Sequence, residues 1–179
     1  MGYVPLDKAD AHGLGIFALN RNNNMTRVAC YVDGFNLYHA IHDLKKPHLK
    51  WLNLWSLSDS LMRDGQHLVA VNYFSAYATW RAAQYKRHRE YVKALSAVGV
   101  TPILGHFKEK FRKCYSCNVT WKDHEEKETD VRLALKLLED AFTDQYDRAI
   151  IVSGDSDLVP AIQTVKAQFH SKSFLVATP

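Results

Sequence analysis

Short apolar runs alternate with amphipathic stretches along the chain from residue 27 onward. The apolar runs predict five strands, at residues 27–32, 67–76, 100–105, 148–154 and 172–178. The stretches between them predict helices, at residues 35–45, 54–63, 80–98, 129–142 and 157–169. Strands that alternate with helices indicate a mostly parallel sheet with helices on both faces. The pattern therefore predicts a Rossmann-like three-layer α/β/α sandwich.

The helix predicted at 129–142 has the clearest apolar periodicity. It is expected to begin at Thr129 or Asp130, both suitable caps. Its predicted buried face, broadened by Leu133 and Leu137, consists of Val131, Ala134, Leu135, Leu138 and Phe142. Residues 106–127, by contrast, lack regular periodicity and are expected to form an extended ribbon or loop.

The two ends of the chain differ from the middle. Residues 1–24 are rich in Gly and Asn and have no sustained periodicity, which predicts an N-terminal tail or an appended segment. Residues 25–179 form the predicted folded domain. The chain stops at Pro179, directly after an apolar run. We therefore expect either a truncated C-terminus or a last strand at the edge of the sheet.

Composition narrows the class of protein. The 179 residues are 47% hydrophobic and 23% charged, as expected for one globular domain and not for a disordered or fibrous chain. No apolar run reaches the ~18 residues of a membrane span, and the N-terminus has no secretory pattern. Three cysteines are too few for a disulfide framework and indicate a reducing compartment. We therefore expect a cytoplasmic protein.

The net charge of +4 is modest, but the charges are segregated. Basic side chains gather at 80–89 and 105–113, whereas acidic side chains gather elsewhere. This separation predicts one surface for a phosphate backbone and another for a metal ion. The cations predicted to contact a phosphate backbone are Arg81, Lys86, Arg87, Lys108, Lys110, Arg112 and Lys113. The alternative for 80–89 is an ordinary helix with solvated cations, in which Trp80 and Tyr85 face the core.

Aspartates fall where the predicted sheet would form a binding crevice, at the carboxyl ends of strands. Asp33 ends the first strand, Asp155 and Asp157 follow the fourth, and Asp130 opens the helix that leads into it. Converging carboxylates repel each other unless a hard cation such as Mg²⁺ or Mn²⁺ neutralises them. Each motif alone suits a helix cap or a turn. Two strands that both end in such turns favour a metal-dependent site.

Three segments resemble the sequence blocks of a known family. They are VACYVDGFNLYHAI, EEKETDVRLALKLLEDA and YDRAIIVSGDSDLVPAI. In order, spacing and strand placement they are similar to the blocks of the NYN domain (LabA-like), a branch of the PIN-like ribonuclease superfamily. The resemblance covers most of the chain, from residue 27 to its end. It implies an α/β/α sandwich whose acidic cluster binds Mg²⁺ or Mn²⁺ and cleaves phosphodiesters, usually in RNA.

The resemblance also implies roles for individual residues. The implied metal ligands and catalytic acids are Asp33, Asp130, Asp155 and Asp157. Asn36 matches the polar residue that orients a water or a substrate phosphate. Ser153 and Gly154 would shape the turn, with the Ser153 hydroxyl or backbone N–H groups near an RNA phosphate. Related domains often dimerise, so the resemblance is also compatible with a homodimer.

These observations predict a divalent-metal-dependent endoribonuclease. A metal ion would polarise a phosphoryl oxygen and lower the pKa of the attacking water. The sequence has no GxxxxGK[ST], and no GxGxxG follows the first strand, which excludes a P-loop and a dinucleotide-binding turn. Two alternatives stay open. One is a non-catalytic RNA-binding or regulatory module, and the other is a metal-dependent phosphatase or nucleotide hydrolase.

A Cys-x-x-Cys pair lies in the irregular segment. Cys114 and Cys117 have zinc-knuckle spacing, and His106 and His124 are the nearest residues that could complete a set of four zinc ligands. The alternative is a pair of reduced thiols in a loop, because a second Cys-x-x-Cys is lacking. Cys30 lies within the first predicted strand and is expected to pack as a small apolar residue.

Overall fold

The computed structural model describes residues 25–179. The strands are β1 (Thr26–Asp33), β2 (Gln66–Ala76), β3 (Thr101–Lys113), β4 (Thr120–Lys127), β5 (Arg148–Val152) and β6 (Ser173–Ala177). The helices are α1 (Gly34–Asp43), α2 (Leu54–Ser60), α3 (Ala82–Ala97), α4 (Thr129–Phe142) and α5 (Val159–Gln168). Two short 3₁₀ turns cover Pro47–Trp51 and Ser156–Leu158. The predicted tail at 1–24 lies outside the described residues.

The sheet confirms the predicted fold class. Its strand order is β4-β3-β2-β1-β5-β6, and every neighbouring pair is parallel except β3 with β4. The chain moves outward from β1 in one direction through β2 and β3, and then crosses to β5 on the other side. In such sheets the ligand crevice lies at the carboxyl ends of the strands where this direction reverses. Here those strands are β1 and β5, which pair in register from Val28 with Arg148 to Val32 with Val152.

Two apolar clusters fill the space between the sheet and its helices, one on each face. On one face Val28, Cys30 and Val32 of β1 pack with residues of α1, α2 and α3. On the other face Ala29 and Tyr31 pack with residues of α4 and α5. The alternation follows from the two-residue period of a strand, since successive side chains point to opposite faces. Three layers result, as predicted, and Cys30 is a buried core residue as expected.

The buried face of α4 confirms the prediction only in part: Leu133 and Leu137 are buried, and Ala134 and Leu138 pack against the same cluster. The helix packs on the sheet through Leu133, Leu137 and Ala141, whereas Val131 and Leu135 are 61% and 60% exposed. Phe142, also predicted to be buried, is exposed as well. Apolar residues occur nearly all around this helix, so periodicity alone did not select the side that faces the sheet.

Residues 106–127 form an extended ribbon, which was one of the two structures expected for this segment. The ribbon is a regular antiparallel hairpin. The first part of β3 pairs with β2 as far as Gly105, and His106–Lys113 pairs only with β4. Charged side chains pair across this hairpin, for example Lys122 with Glu109 at 3.3 Å. Because β4 contains mostly charged residues, it lacked the apolar alternation that identifies a strand from sequence.

None of the helices within residues 25–179 is long and apolar enough to cross a membrane.

Candidate active site

Asp33 is the last residue of β1 and the N-terminal cap of α1. Its Oδ1 accepts hydrogen bonds from the backbone N–H groups of Phe35 at 3.1 Å and Asn36 at 2.9 Å. These bonds satisfy two of the free N–H groups that begin a helix. The side chain is only 4% exposed. The helix cap therefore fixes the carboxylate at the mouth of the crevice in one orientation.

Gly34 allows this turn to lie directly against β2. A Cβ atom at this position would lie 2.4 Å from Cε2 of Tyr73 and 2.6 Å from the backbone oxygen of Phe74. Both distances are shorter than real Cβ contacts, so a larger residue would push the turn away from the sheet. The glycine thus sets how deeply the Asp33 carboxylate sits at the strand end.

Ser153 connects the end of β5 to Asp33. Its hydroxyl donates to Oδ2 of Asp33 at 2.9 Å and accepts from the backbone N–H of Asp155 at 3.0 Å. The residue is buried. The prediction that this hydroxyl contacts an RNA phosphate is therefore wrong for this geometry, because the hydroxyl is an internal link between two predicted metal ligands.

A second link joins the same two turns. The backbone N–H of Gly154 donates to Oδ1 of Asn36 at 3.1 Å, which leaves the Asn36 amide Nδ2 as a hydrogen-bond donor. Oδ1 of Asp155 in turn accepts from the backbone N–H of Asp157 at 2.8 Å and begins the following 3₁₀ turn. The turns after β1 and β5 thus form one hydrogen-bonded unit that carries Asp33, Asp155 and Asp157.

Asp130, in the first turn of α4, lies among these carboxylates. Its pKa is raised from 3.8 to about 6, first by burial and then by the negative charges of Asp33, Glu126, Asp155 and Asp157. Such repulsion requires that the charges lie close together in a partly desolvated place. The charges of the other three aspartates therefore act on Asp130, although no three of these acids are arranged to hold a metal ion within residues 25–179.

Glu126, at the end of β4, is an additional acid that the sequence analysis missed. Its Oε1 accepts hydrogen bonds from both the backbone N–H and the hydroxyl of Thr129, and its charge raises the pKa of Asp130. The hairpin, which was not assigned as strands from sequence, is what carries this side chain to the start of α4.

The donor set fits a hard divalent cation. All the acidic groups present oxygen ligands, and Oδ2 of Asp155, both oxygens of Asp130 and both oxygens of Asp157 accept no hydrogen bond from the residues that the structure describes. Among residues 25–179 there is no group of three or more His, Cys, Asp or Glu side chains arranged to hold a metal ion. A cation here would thus bind to one or two carboxylates, with water and substrate completing its shell, which is the usual manner of Mg²⁺.

An aromatic wall flanks the acidic cluster, and two of its three members were missed. We use this name for Phe35, Phe107 and Trp80. Phe35 follows the Asp33 turn and is 46% exposed; its ring centroid lies 6.5 Å from that of Phe107. Trp80 packs edge-on against Phe107, with centroids 4.8 Å apart. Trp80 was noted in the sequence, and it is 39% exposed instead of facing the core as one alternative held; the only signal for Phe35 was its position directly after Asp33-Gly34.

The predicted RNA-binding cations lie in two different settings. Arg81, Lys86 and Arg87 are exposed at the start of α3, as both interpretations of that helix require. On the hairpin, Lys110 pairs with Glu125 at 3.5 Å and Arg112 pairs with Asp123. Lys108 and Lys113 are exposed, and no ion pair involves them in the described part of the chain.

The histidines predicted to complete a zinc site do not reach the cysteines. His124 stacks on Trp80 with ring centroids 3.7 Å apart and faces Glu109, while Nδ1 of His106 lies 3.5 Å from Glu128. Cys114 and Cys117 lie beyond Lys113, at the far end of the hairpin. The predicted set of four zinc ligands is therefore wrong, because strand pairing holds His106 at the base of the hairpin and His124 halfway along it, away from the tip.

Comparisons with known proteins agree with this fold. A solved structure of a protein of unknown function from Vibrio parahaemolyticus superposes with a TM-score of 0.58 and 21% identity, covering 87% of this chain and 82% of that one. The chain is also 28% identical over 178 aligned residues to 6-hydroxy-3-succinoylpyridine 3-monooxygenase HspA from Pseudomonas putida. That match covers 79% of this chain but only 56% of the relative's length.

A family model decides the relationship. The model of the NYN domain matches residues 27–178, nearly the whole described part of the chain. The matched region includes the turns that carry the acidic cluster, and the sandwich observed here is consistent with a PIN-like fold. The chain therefore belongs to the NYN domain family, whose members have a PIN-like, ribonuclease-type domain.

Proposed function

We propose that this domain is a divalent-metal-dependent endoribonuclease. One observation supports the proposal: the turns after β1 and β5 form one hydrogen-bonded unit that carries Asp33, Asp155 and Asp157, and burial together with their charges raises the pKa of Asp130. Repelling carboxylates are unfavourable for folding alone, and a hard cation with a phosphate would relieve the repulsion. Membership in the NYN family supports the nuclease class.

Each residue of the site has a proposed task. Mg²⁺ or Mn²⁺, bound to Asp33 and Asp155, would polarise a phosphoryl oxygen and make water a better nucleophile. Asp130 and Asp157 would hold the attacking water through their unpaired oxygens and accept its proton. Asn36 would donate from Nδ2 to a non-bridging phosphate oxygen, because its Oδ1 already accepts from Gly154.

The proposed substrate is RNA and not a small phosphorylated molecule. Arg81, Lys86 and Arg87 on α3, with Lys108 and Lys113 on the hairpin, would contact phosphates along a strand. We assign weaker contacts to Lys110 and Arg112, since their charges are partly neutralised by Glu125 and Asp123. The relative named as a monooxygenase extends well beyond the matched region, so its name does not decide the activity of this domain.

The test is cleavage of end-labelled single-stranded RNA with Mn²⁺, Mg²⁺ or EDTA. We expect metal-dependent cleavage by the wild type and its loss in Asp155→Asn and in Asp33→Asn, because each removes one charge from the ligand set. Asp59→Asn is the matched control, since Asp59 is an exposed acid on α2. Wild-type cleavage by both site variants would overturn the site assignment.

Other results would favour the alternatives. Tight RNA binding without cleavage in any metal would indicate the regulatory RNA-binding module. Neither binding nor cleavage, together with metal-dependent release of phosphate from nucleotides, would indicate the small-molecule phosphatase or nucleotide hydrolase.

A further inference from the structure

The β3–β4 hairpin projects from the body of the domain. Beyond Gly105, the residues His106–Lys113 pair with β4 alone. Eight residues at ~3.3 Å each give an arm of roughly 26 Å. Its tip, residues 114–119, lies at the far end of this arm and carries no charged side chain. The hairpin thus holds the Cys-x-x-Cys pair away from the acidic cluster.

The backbone of the tip forms a tight turn. The N–H of Cys114 donates to the oxygen of Val119 at 2.8 Å, and the N–H of Asn118 donates to the oxygen of Cys114 at 2.9 Å. Asn118 has φ of 57°, a left-handed conformation that asparagine tolerates better than most residues. These features close a tight turn that places Cys114 and Cys117 together at its end.

The two cysteine side chains of the tip lie next to each other. The thiol and the backbone N–H of Cys117, together with the backbone N–H of Ser116, lie within hydrogen-bonding reach of the Cys114 sulfur. Thiolates are the ligands that zinc prefers in structural sites.

This chain offers only half of the ligands that such a site needs. Structural zinc is bound by four ligands in a tetrahedral arrangement, and no third ligand joins the cysteine pair among residues 25–179. His106 is held at the base of the hairpin, and His124 is held about halfway along it, opposite Glu109. The remaining cysteine, Cys30, is fully buried in β1.

We propose that Cys114 and Cys117 form half of a zinc site that a second copy of this chain completes with the same two cysteines. A two-fold axis through the ion would place identical surfaces against each other, as in most homodimers. The tips carry no charged side chain, and four thiolates around one Zn²⁺ would leave a negative charge that offsets the flanking Lys113 of each chain. Tyr115, which is 98% exposed, and Val119, also exposed, would be covered by the contact. No residue of the acidic cluster takes part, so the proposal is independent of the proposed nuclease activity.

The test is a zinc titration of the reduced chain, with molecular mass measured by analytical ultracentrifugation and stoichiometry by native mass spectrometry. We expect the mass to double with one zinc ion per two chains, and EDTA to reverse this change. Cobalt in place of zinc should give thiolate-to-metal charge-transfer absorption. Cys114→Ser and Cys117→Ser should each abolish dimerisation, while Ser116→Ala, in the same turn, should retain it.

Circular dichroism and Tm show whether a cysteine variant has unfolded or has only lost the zinc site. Both should stay at the wild-type values, because the tip is exposed. The proposal is overturned if the reduced chain binds no zinc at micromolar concentration. It is also overturned by one zinc ion per monomer, or by zinc-dependent dimers that persist in Cys117→Ser.

Discussion

Replacing Asp130 with Asn should make the metal-free protein more stable at neutral pH. Burial and the charges of Asp33, Glu126, Asp155 and Asp157 raise the pKa of Asp130 from 3.8 to about 6. The folded protein therefore binds the Asp130 proton more tightly than the unfolded chain does. By linkage, this group favours folding at low pH, and that contribution is lost as pH rises from the unfolded pKa through the folded one. Above pH 6 the charged Asp130 destabilises the fold.

The magnitude follows from the size of this pKa rise. A rise from 3.8 to about 6 corresponds to roughly 3 kcal/mol at 1.36 kcal/mol per pKa unit. Asp130 is only partly buried, so solvent screening reduces the expected gain to about 1 kcal/mol. For a chain of this length, that gain corresponds to a Tm increase of about 2–4 °C.

The assay is thermal and urea unfolding of wild type and Asp130→Asn in EDTA, at pH 7.5 and at about pH 4. We expect the variant to be more stable at pH 7.5 and the difference to shrink towards pH 4, where the wild-type carboxyl is protonated in the folded protein. Asp59→Asn should show no such pH-dependent gain. An Asp130→Asn variant that is equally or less stable than the wild type at pH 7.5 would refute the repulsion on which the site assignment depends.

Two further variants test how the site is built. Ser153→Ala removes the buried hydroxyl between Asp33 and Asp155. Urea unfolding should show that the free energy of unfolding falls by about 1–3 kcal/mol, and RNA cleavage should be weaker. An unchanged free energy of unfolding would contradict the linking role. Gly34→Ala should lower the free energy of unfolding by about 1–3 kcal/mol, because its Cβ would lie 2.4 Å from the Tyr73 ring; a wild-type Tm would show that the turn has room to adjust.

The central part of the fold could be predicted because each signal was local. Apolar runs of five to eight residues that end in Asp-bearing turns identified β1 and β5, and parallel pairing then placed Asp33 and Asp155 at one edge. The convergence of these acids follows from topology alone. It needed no knowledge of side-chain packing.

The features that were missed depend on contacts between distant segments. Cross-strand ion pairs stabilise β4, and no single-strand pattern reveals such pairs. Glu126 and Phe107 reach the site only because the hairpin brings them there. Part of the buried face of α4 was misassigned for the same reason. Several sides of this helix are apolar, and its contact with the sheet decides which of them is buried. Ser153 was placed correctly at the turn, but its hydrogen-bond partners became clear only from the packed structure.

The most direct test of the central claim is the identity of the ends produced when the domain cuts RNA. The account predicts that cleavage requires Mn²⁺ or Mg²⁺ and leaves a 5′-phosphate and a 3′-hydroxyl, because water attacks the phosphorus at a carboxylate site. Cleavage that persists in EDTA and leaves a 2′,3′-cyclic phosphate would contradict it, since the neighbouring 2′-hydroxyl and not water would then be the nucleophile.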